Sequence, residues 1–158
     1  MTKYAIIFLI LASVAQAGTD CGDPPDLDSR QKGVTIYQHA KVVFQSGQTD
    51  DEKMTRYDHL IIWNKNLKEL CFSITTISYQ LHECYLEGKA IKIRKNIYTH
   101  TRNKCQAQLT FDKDKVKINV KGSRGDYCVG EDLGENEGGC GMNTSIDSAI
   151  YTKIRVKP

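Results

Sequence analysis

The residues best equipped for chemistry stand together at Ser123-Arg124-Gly125-Asp126-Tyr127, directly ahead of a loop bounded by Cys128 and Cys140. The Arg124 guanidinium is planar and matches a carboxylate through paired hydrogen bonds, while Ser123 and Tyr127 add a hydroxyl and a phenol. These are the group types of a recognition surface, and Tyr127 brings a large apolar face with few rotamers to freeze. Beyond them Glu131, Asp132, Glu135 and Glu137 are interspersed with glycines, a composition that neither strand nor helix favours. Together with Asp126 these carboxylates offer hard oxygens of the kind calcium takes, but their spacing does not follow an EF-hand loop. The expectation is a solvated acidic loop, suited to meeting a basic partner.

Other chemistries have less support. His39, His59, His82 and His100 are scattered singly among polar neighbours, and there is no CxxC, HxxxH or HExxH, so the expectation is surface histidines and no metal. No His stands beside a Ser or carboxylate in a catalytic arrangement, and Asp112 and Asp114 have the type and spacing of turn residues. The net charge of +3 is too mild to argue for nucleic acid, and the lysines alternate with hydrophobes along strands instead of forming a patch. The chain reads as a binding protein, not an enzyme, with no cofactor.

The elements that must position the loop are strands. CQAQLTF (105–111) puts Ala107, Leu109 and Phe111 on one face, DKDK turns, and VKINV (116–120) returns with Val116, Ile118 and Val120. Alternation on both arms around an Asp-rich turn predicts a hairpin with one buried face, feeding directly into the loop. Upstream, strands are predicted over 34–44, 59–63, 69–79, 82–93 and 97–102, with a bulge near Thr75–Thr76 where the parity slips. The stretch 46–58 is polar and reads as a surface loop or, from the capping-box pair Thr49 and Glu52, a short helix. SAIYTKIRV (148–156) closes the series. The fold class is all-β: a small antiparallel barrel or sandwich of about seven or eight strands.

Residues 1–17 read as a secretory signal peptide: Lys3, then the apolar YAIIFLILASV, then Ala15-Gln16-Ala17 as the cleavage site. Residues 18–158 then form a single domain, periplasmic or secreted, with no membrane span. All six cysteines follow the cut, which predicts a disulfide-stapled domain in an oxidising compartment. Cys84 and Cys105 each open a strand around the intervening Tyr98 segment and are expected to pair. Cys128 and Cys140 bracket the acidic loop. That leaves Cys21 to staple the Pro24–Pro25 arm onto the strand at Cys71.

Three pieces carry a resemblance: LCFSITTISYQLHECYLEGKA, the CQAQLTFDKDKVKI hairpin, and DYC…CGMNTSIDSAIY. Over roughly residues 69–152 they resemble a group of small exported bacterial β-domains, some of which look like periplasmic lysozyme-inhibitor-type proteins. The resemblance implies a small β-barrel that inserts a loop of Ser-Gly-x-x-Tyr type into the cleft of a lysozyme. Here Ser123 and Tyr127 keep that spacing, while the glycine comes one place late and Arg124 stands in its position. A lysozyme cleft is lined by two carboxylates and by hydrogen-bonding groups for sugars, a match for Arg124, Ser123 and Tyr127. The partner implied is a lysozyme-like or other wall-degrading hydrolase. Two alternatives stand beside it. One is an immunity protein that neutralises a secreted toxin by the same occlusion. The other is an extracellular adhesion module, since Arg124-Gly125-Asp126 is the tripeptide by which some secreted proteins engage integrins.

Overall fold

A computed structural model describes residues 21–27, 31–43, 54–77, 83–102, 105–121, 146 and 148–154. Eight strands follow one another: β1 (Thr35–Val43), β2 (Met54–Trp63), β3 (Glu69–Ile77), β4 (Glu83–Arg94), β5 (Ile97–Arg102), β6 (Cys105–Asp112), β7 (Lys115–Lys121) and β8 (Ala149–Lys153). Each pairs antiparallel with the next, and β8 pairs back onto β1, so the sheet closes into a barrel. Barrel, not sandwich, is therefore the architecture.

Alternation decides which side chains fill the interior. On β6 and β7, Ala107, Leu109, Val116 and Ile118 are fully buried, with Phe111 and Val120 packed against them. Gln106, Lys115, Lys117 and Lys121, on the other parity, are exposed. Leu60, Ile62, Leu70, Phe72, Ile74, Leu86, Tyr98 and Tyr151 complete the core from the remaining strands. An eight-stranded barrel has just enough interior for side chains to fill, and these fill it. Burying one Leu- or Phe-sized side chain contributes about 1.5–3 kcal/mol, so the inward rows carry most of the stability.

A second apolar cluster lies on the outer wall. Cys21, Ile61, Trp63 and Cys71 are buried there, with Val34 against them. The arm is held by the Cys21–Cys71 disulfide, as the sequence predicts, and by the Trp63 indole N–H donating to the Cys21 carbonyl at 2.9 Å. Ile61 and Trp63 face outward on β2, and the arm removes them from water.

Four expectations need correcting. The polar stretch before His59 is not all loop, because Met54–Asp58 is the first half of β2, paired residue for residue with β1. The bulge predicted at Thr75–Thr76 is absent: β3 keeps one register along β4, and the shift falls on β4 between Lys92 and Arg94. The apparent slip has a cause in burial, since β3 is covered on both faces around Cys71 and Ser73 and two-sided burial erases alternation. His100 is not a surface residue but lies in the interior at 7% exposure, edge-on to Phe72 with 5.3 Å between ring centroids. Finally, the strand predicted over 34–44 is shorter within the described residues, running Thr35–Val43.

Cys84 is fully buried and disulfide-bonded. Since Cys21 and Cys71 hold each other, its partner sulfur belongs to Cys105, Cys128 or Cys140, whose side chains lie outside the described residues. Non-reducing peptide mapping is expected to recover a Cys84–Cys105 peptide; a Cys84 linkage to Cys128 or Cys140 would refute that pairing.

Candidate functional site

An up-and-down meander sends its connectors alternately to two ends. The links β2–β3, β4–β5 and β6–β7 are tight, each carrying one residue at positive φ: Asn64 (51°), Asn96 (62°) and Lys113 (50°). Backbone bonds tie this end together. Lys92 N–H donates to Lys68 O at 2.7 Å, Phe111 N–H to Asn96 O at 2.9 Å, and Lys153 N–H to Asp114 O at 2.7 Å. The links after β1, β3, β5 and β7 all open at the opposite end, the mouth. The last and longest of them contains Ser123, Arg124, Asp126, Tyr127, Cys128, Glu131 to Glu137 and Cys140, all of which lie outside the described residues.

The base of that connector is fixed on both sides. It leaves from Lys121, at the end of β7, a strand held along its length by β6. It returns through Ile146, buried in the barrel core, and Ser148, whose hydroxyl accepts from Val120 N–H at 3.3 Å. A long polar connector on a rigid base is the usual arrangement of a binding loop.

Beneath the mouth the interior changes character. The Asp58 carboxylate points inward opposite His39 and is only 3% exposed. It pairs with the Lys41 ammonium at 2.8 Å and accepts the Ile77 backbone N–H at 2.9 Å. A buried carboxylate requires such partners, since an isolated charge there would carry a desolvation penalty of several kcal/mol. His39 donates from Nδ1 to the Ile150 carbonyl at 3.1 Å, with its ring 5.7 Å from that of Tyr151. Thr76 is opposite Cys84 in the same stretch of wall, and Arg56 reaches Met54 Sδ at 3.8 Å. The barrel is therefore polar under its mouth and apolar below, from Tyr37, Leu60 and Ile74 downward.

The Lys41–Asp58 pair clamps β1, β2 and the end of β3. Its chemistry is structural, since the carboxylate is engaged and His39 is turned onto a carbonyl. Among the described residues no three His, Cys, Asp or Glu side chains converge as metal ligands. The sequence reading missed this pair, although a signal existed. Stepping back by twos from Ile62 and Leu60 places Asp58 on the same inward face.

His59, on the outer face, accepts from the Gln38 side-chain amide at 3.0 Å through Nε2, which requires a neutral ring. Burial lowers the His59 pKa, with Asp58 opposing. The unfolded chain therefore binds more protons near the ordinary histidine pKa, and stability falls as pH drops through and below about 6.5. Urea midpoints compared at about pH 5 and pH 8 are expected to show a decrease that His59→Gln removes in part. The difference should stay below about 1 kcal/mol because the ring is partly solvated. An identical pH profile in the variant would exclude His59 as the cause.

No family model, curated protein or solved structure matches the chain.

Proposed function

We propose that this chain is an exported binding barrel that occludes the cleft of a lysozyme-like or other wall-degrading hydrolase with the connector after β7. The observation that carries the reading is the fixed base of that connector, between the end of β7 and the buried Ile146. A rigid base lowers the entropy lost on binding, so the loop's few anchors retain more of their interaction energy. Arg124 meets a cleft carboxylate, Tyr127 stacks against the cleft wall, and Ser123 adds one neutral hydrogen bond. The acidic run Glu131 to Glu137 draws in a basic enzyme.

Purified chain lacking residues 1–17 is expected to slow the clearing of a bacterial suspension by lysozyme. Absence of inhibition across animal, plant-type and phage-type lysozymes removes the reading. Arg124→Ala and Tyr127→Ala should each weaken binding at least about tenfold, roughly 1.4 kcal/mol, with Ser123→Ala weaker in effect. On this reading the three side chains pack on the partner and not on the barrel, so melting temperatures should not move. Full affinity in both variants shifts the binding surface to Glu131–Glu137; a matching drop in melting temperature makes Tyr127 a packing residue.

A further inference from the structure

The end of the barrel opposite the mouth carries a feature that strand-by-strand reading of the lysines hides. Lys65, in the β2–β3 turn, lays its ammonium 3.9 Å from the centre of the Phe111 ring and 5.6 Å from that of Tyr98. Lys92, from β4, brings a second ammonium to 6.0 Å from the same Tyr98 ring. Lys153, from the end of β8, is close enough to act on Lys65 electrostatically. None of the three forms an ion pair among the described residues, where the ion pairs are Lys41–Asp58 and Lys89–Glu69. Burial first and then Asp114 raise the Tyr37 pKa, yet among the described residues Asp114 pairs with none of these lysines. Burial first, then Lys92 and Lys153, lowers the pKa of Lys65, so the cluster stands under mutual repulsion.

Lys65 also lines a cleft of about 180 Å³ between the arm and the β2–β3 turn, together with Lys32, Gln31, Asn64 and Trp63. Neither Lys92 nor Lys153 lines that cleft, and Trp63 faces the outer wall while Phe111 and Tyr98 face the interior, so the cations meet on the floor of the barrel and not in the cleft. The turns around the floor are held by the backbone bonds that tie this end of the barrel, so its groups are pre-placed.

We propose that this floor is an anion-binding site, in which Lys65, flanked by Lys92 and Lys153 over the Tyr98 and Phe111 rings, takes a phosphate or carboxylate group of a small ligand. An anion relieves the repulsion among the three ammonium groups, and the aromatic cup keeps Lys65 in place when the site is empty. The convergence is invisible in sequence because the three lysines come from three separate elements. The site is at the end of the barrel away from the mouth, so it does not depend on the function proposed above.

Trp63 is the single tryptophan and precedes Lys65 by two residues, on the wall beside the floor, so calorimetry is the primary readout and fluorescence the secondary one. The full mature chain is titrated at low ionic strength with pyrophosphate, and separately with citrate, by fluorescence and by calorimetry. Saturable binding of at least one is expected, weakened at least tenfold in Lys65→Gln and several-fold in Lys92→Gln. Lys117→Gln, on the outer wall of β7, should leave it unchanged. Preference for pyrophosphate assigns phosphate as the group recognised, and preference for citrate assigns carboxylate. No saturable binding overturns the proposal, as does equal affinity in Lys65→Gln or an equal loss in Lys117→Gln. Binding of poly-glutamate without either small anion would also overturn it in favour of an acidic protein surface. Unchanged melting temperature in Lys65→Gln separates lost binding from lost folding.

Discussion

Removing Cys21 and Cys71 together, as a double serine variant, is expected to lower stability by about 2–4 kcal/mol while leaving the eight-stranded barrel folded. The two cysteines are 50 residues apart in sequence, so their bond closes a large loop in the unfolded chain. Both belong to the outer cluster with Ile61 and Trp63, and neither contributes to the barrel interior. Without the bond, the Trp63 indole hydrogen bond and the packing of Val34 against the outer cluster are what tie the arm to the wall among the described residues. Trp63 should then become solvated at a lower denaturant concentration than the one at which the β-sheet signal is lost. Fluorescence and far-ultraviolet circular dichroism followed in one urea series separate the two events. Loss of the sheet signal without denaturant would mean that the arm is a condition of the barrel and not an addition to it.

Gly88→Ala is the second large effect. Gly88 lies in β4 opposite Phe72 with φ of +152°, a conformation that side chains other than glycine's rarely adopt. The space above it is taken by His100, whose Cε1 would be 2.6 Å from an added Cβ. His100 cannot simply swing aside. Its Nδ1 donates to the Lys89 carbonyl at 2.9 Å, and its ring packs on Phe72. Backbone strain and the clash together should cost about 2–4 kcal/mol, read as a lower urea midpoint with unchanged slope. In a His100→Ala background the clash with the ring is gone, so the loss should shrink towards the backbone part. If the loss is the same in both backgrounds, His100 is not the obstacle.

The same residue pair marks where sequence reading stops. Alternation in CQAQLTF and VKINV was enough to place Ala107, Leu109, Val116 and Ile118 inside, because those strands have one wet face. The Cys21–Cys71 staple was also legible, once the other cysteines had nearer candidates. His100 was not read as buried, although it shares the parity of Tyr98; the glycine that makes room for it is on the neighbouring strand. Asp58 was lost in a run of polar residues, although its parity with Leu60 and Ile62 was available. The lysine cluster on the floor depends on which turns the closed barrel brings together, and that is a property of topology alone. Ser123 to Tyr127 lie outside the described residues, and the structure places only the strand that precedes them, ending at Lys121.

Closure of β8 onto β1 has a consequence for assembly. Along the seam, where Tyr37 and Gln38 pair with Lys153 and Thr152, a partner finds no strand edge to extend, and recognition there goes through side chains and connectors. β8 is the last strand in chain order, so the seam closes last when strands add in sequence. β1 and β7 remain open until Ala149–Lys153 arrives between them, having followed the longest connector in the chain. Any event that delays or removes that short strand leaves two unpaired edges on an otherwise complete sheet. One is the Val- and Ile-bearing β1, and both are templates for pairing with a second copy. The acidic, glycine-rich composition between β7 and β8 has poor strand propensity, which disfavours premature pairing of that stretch with either edge.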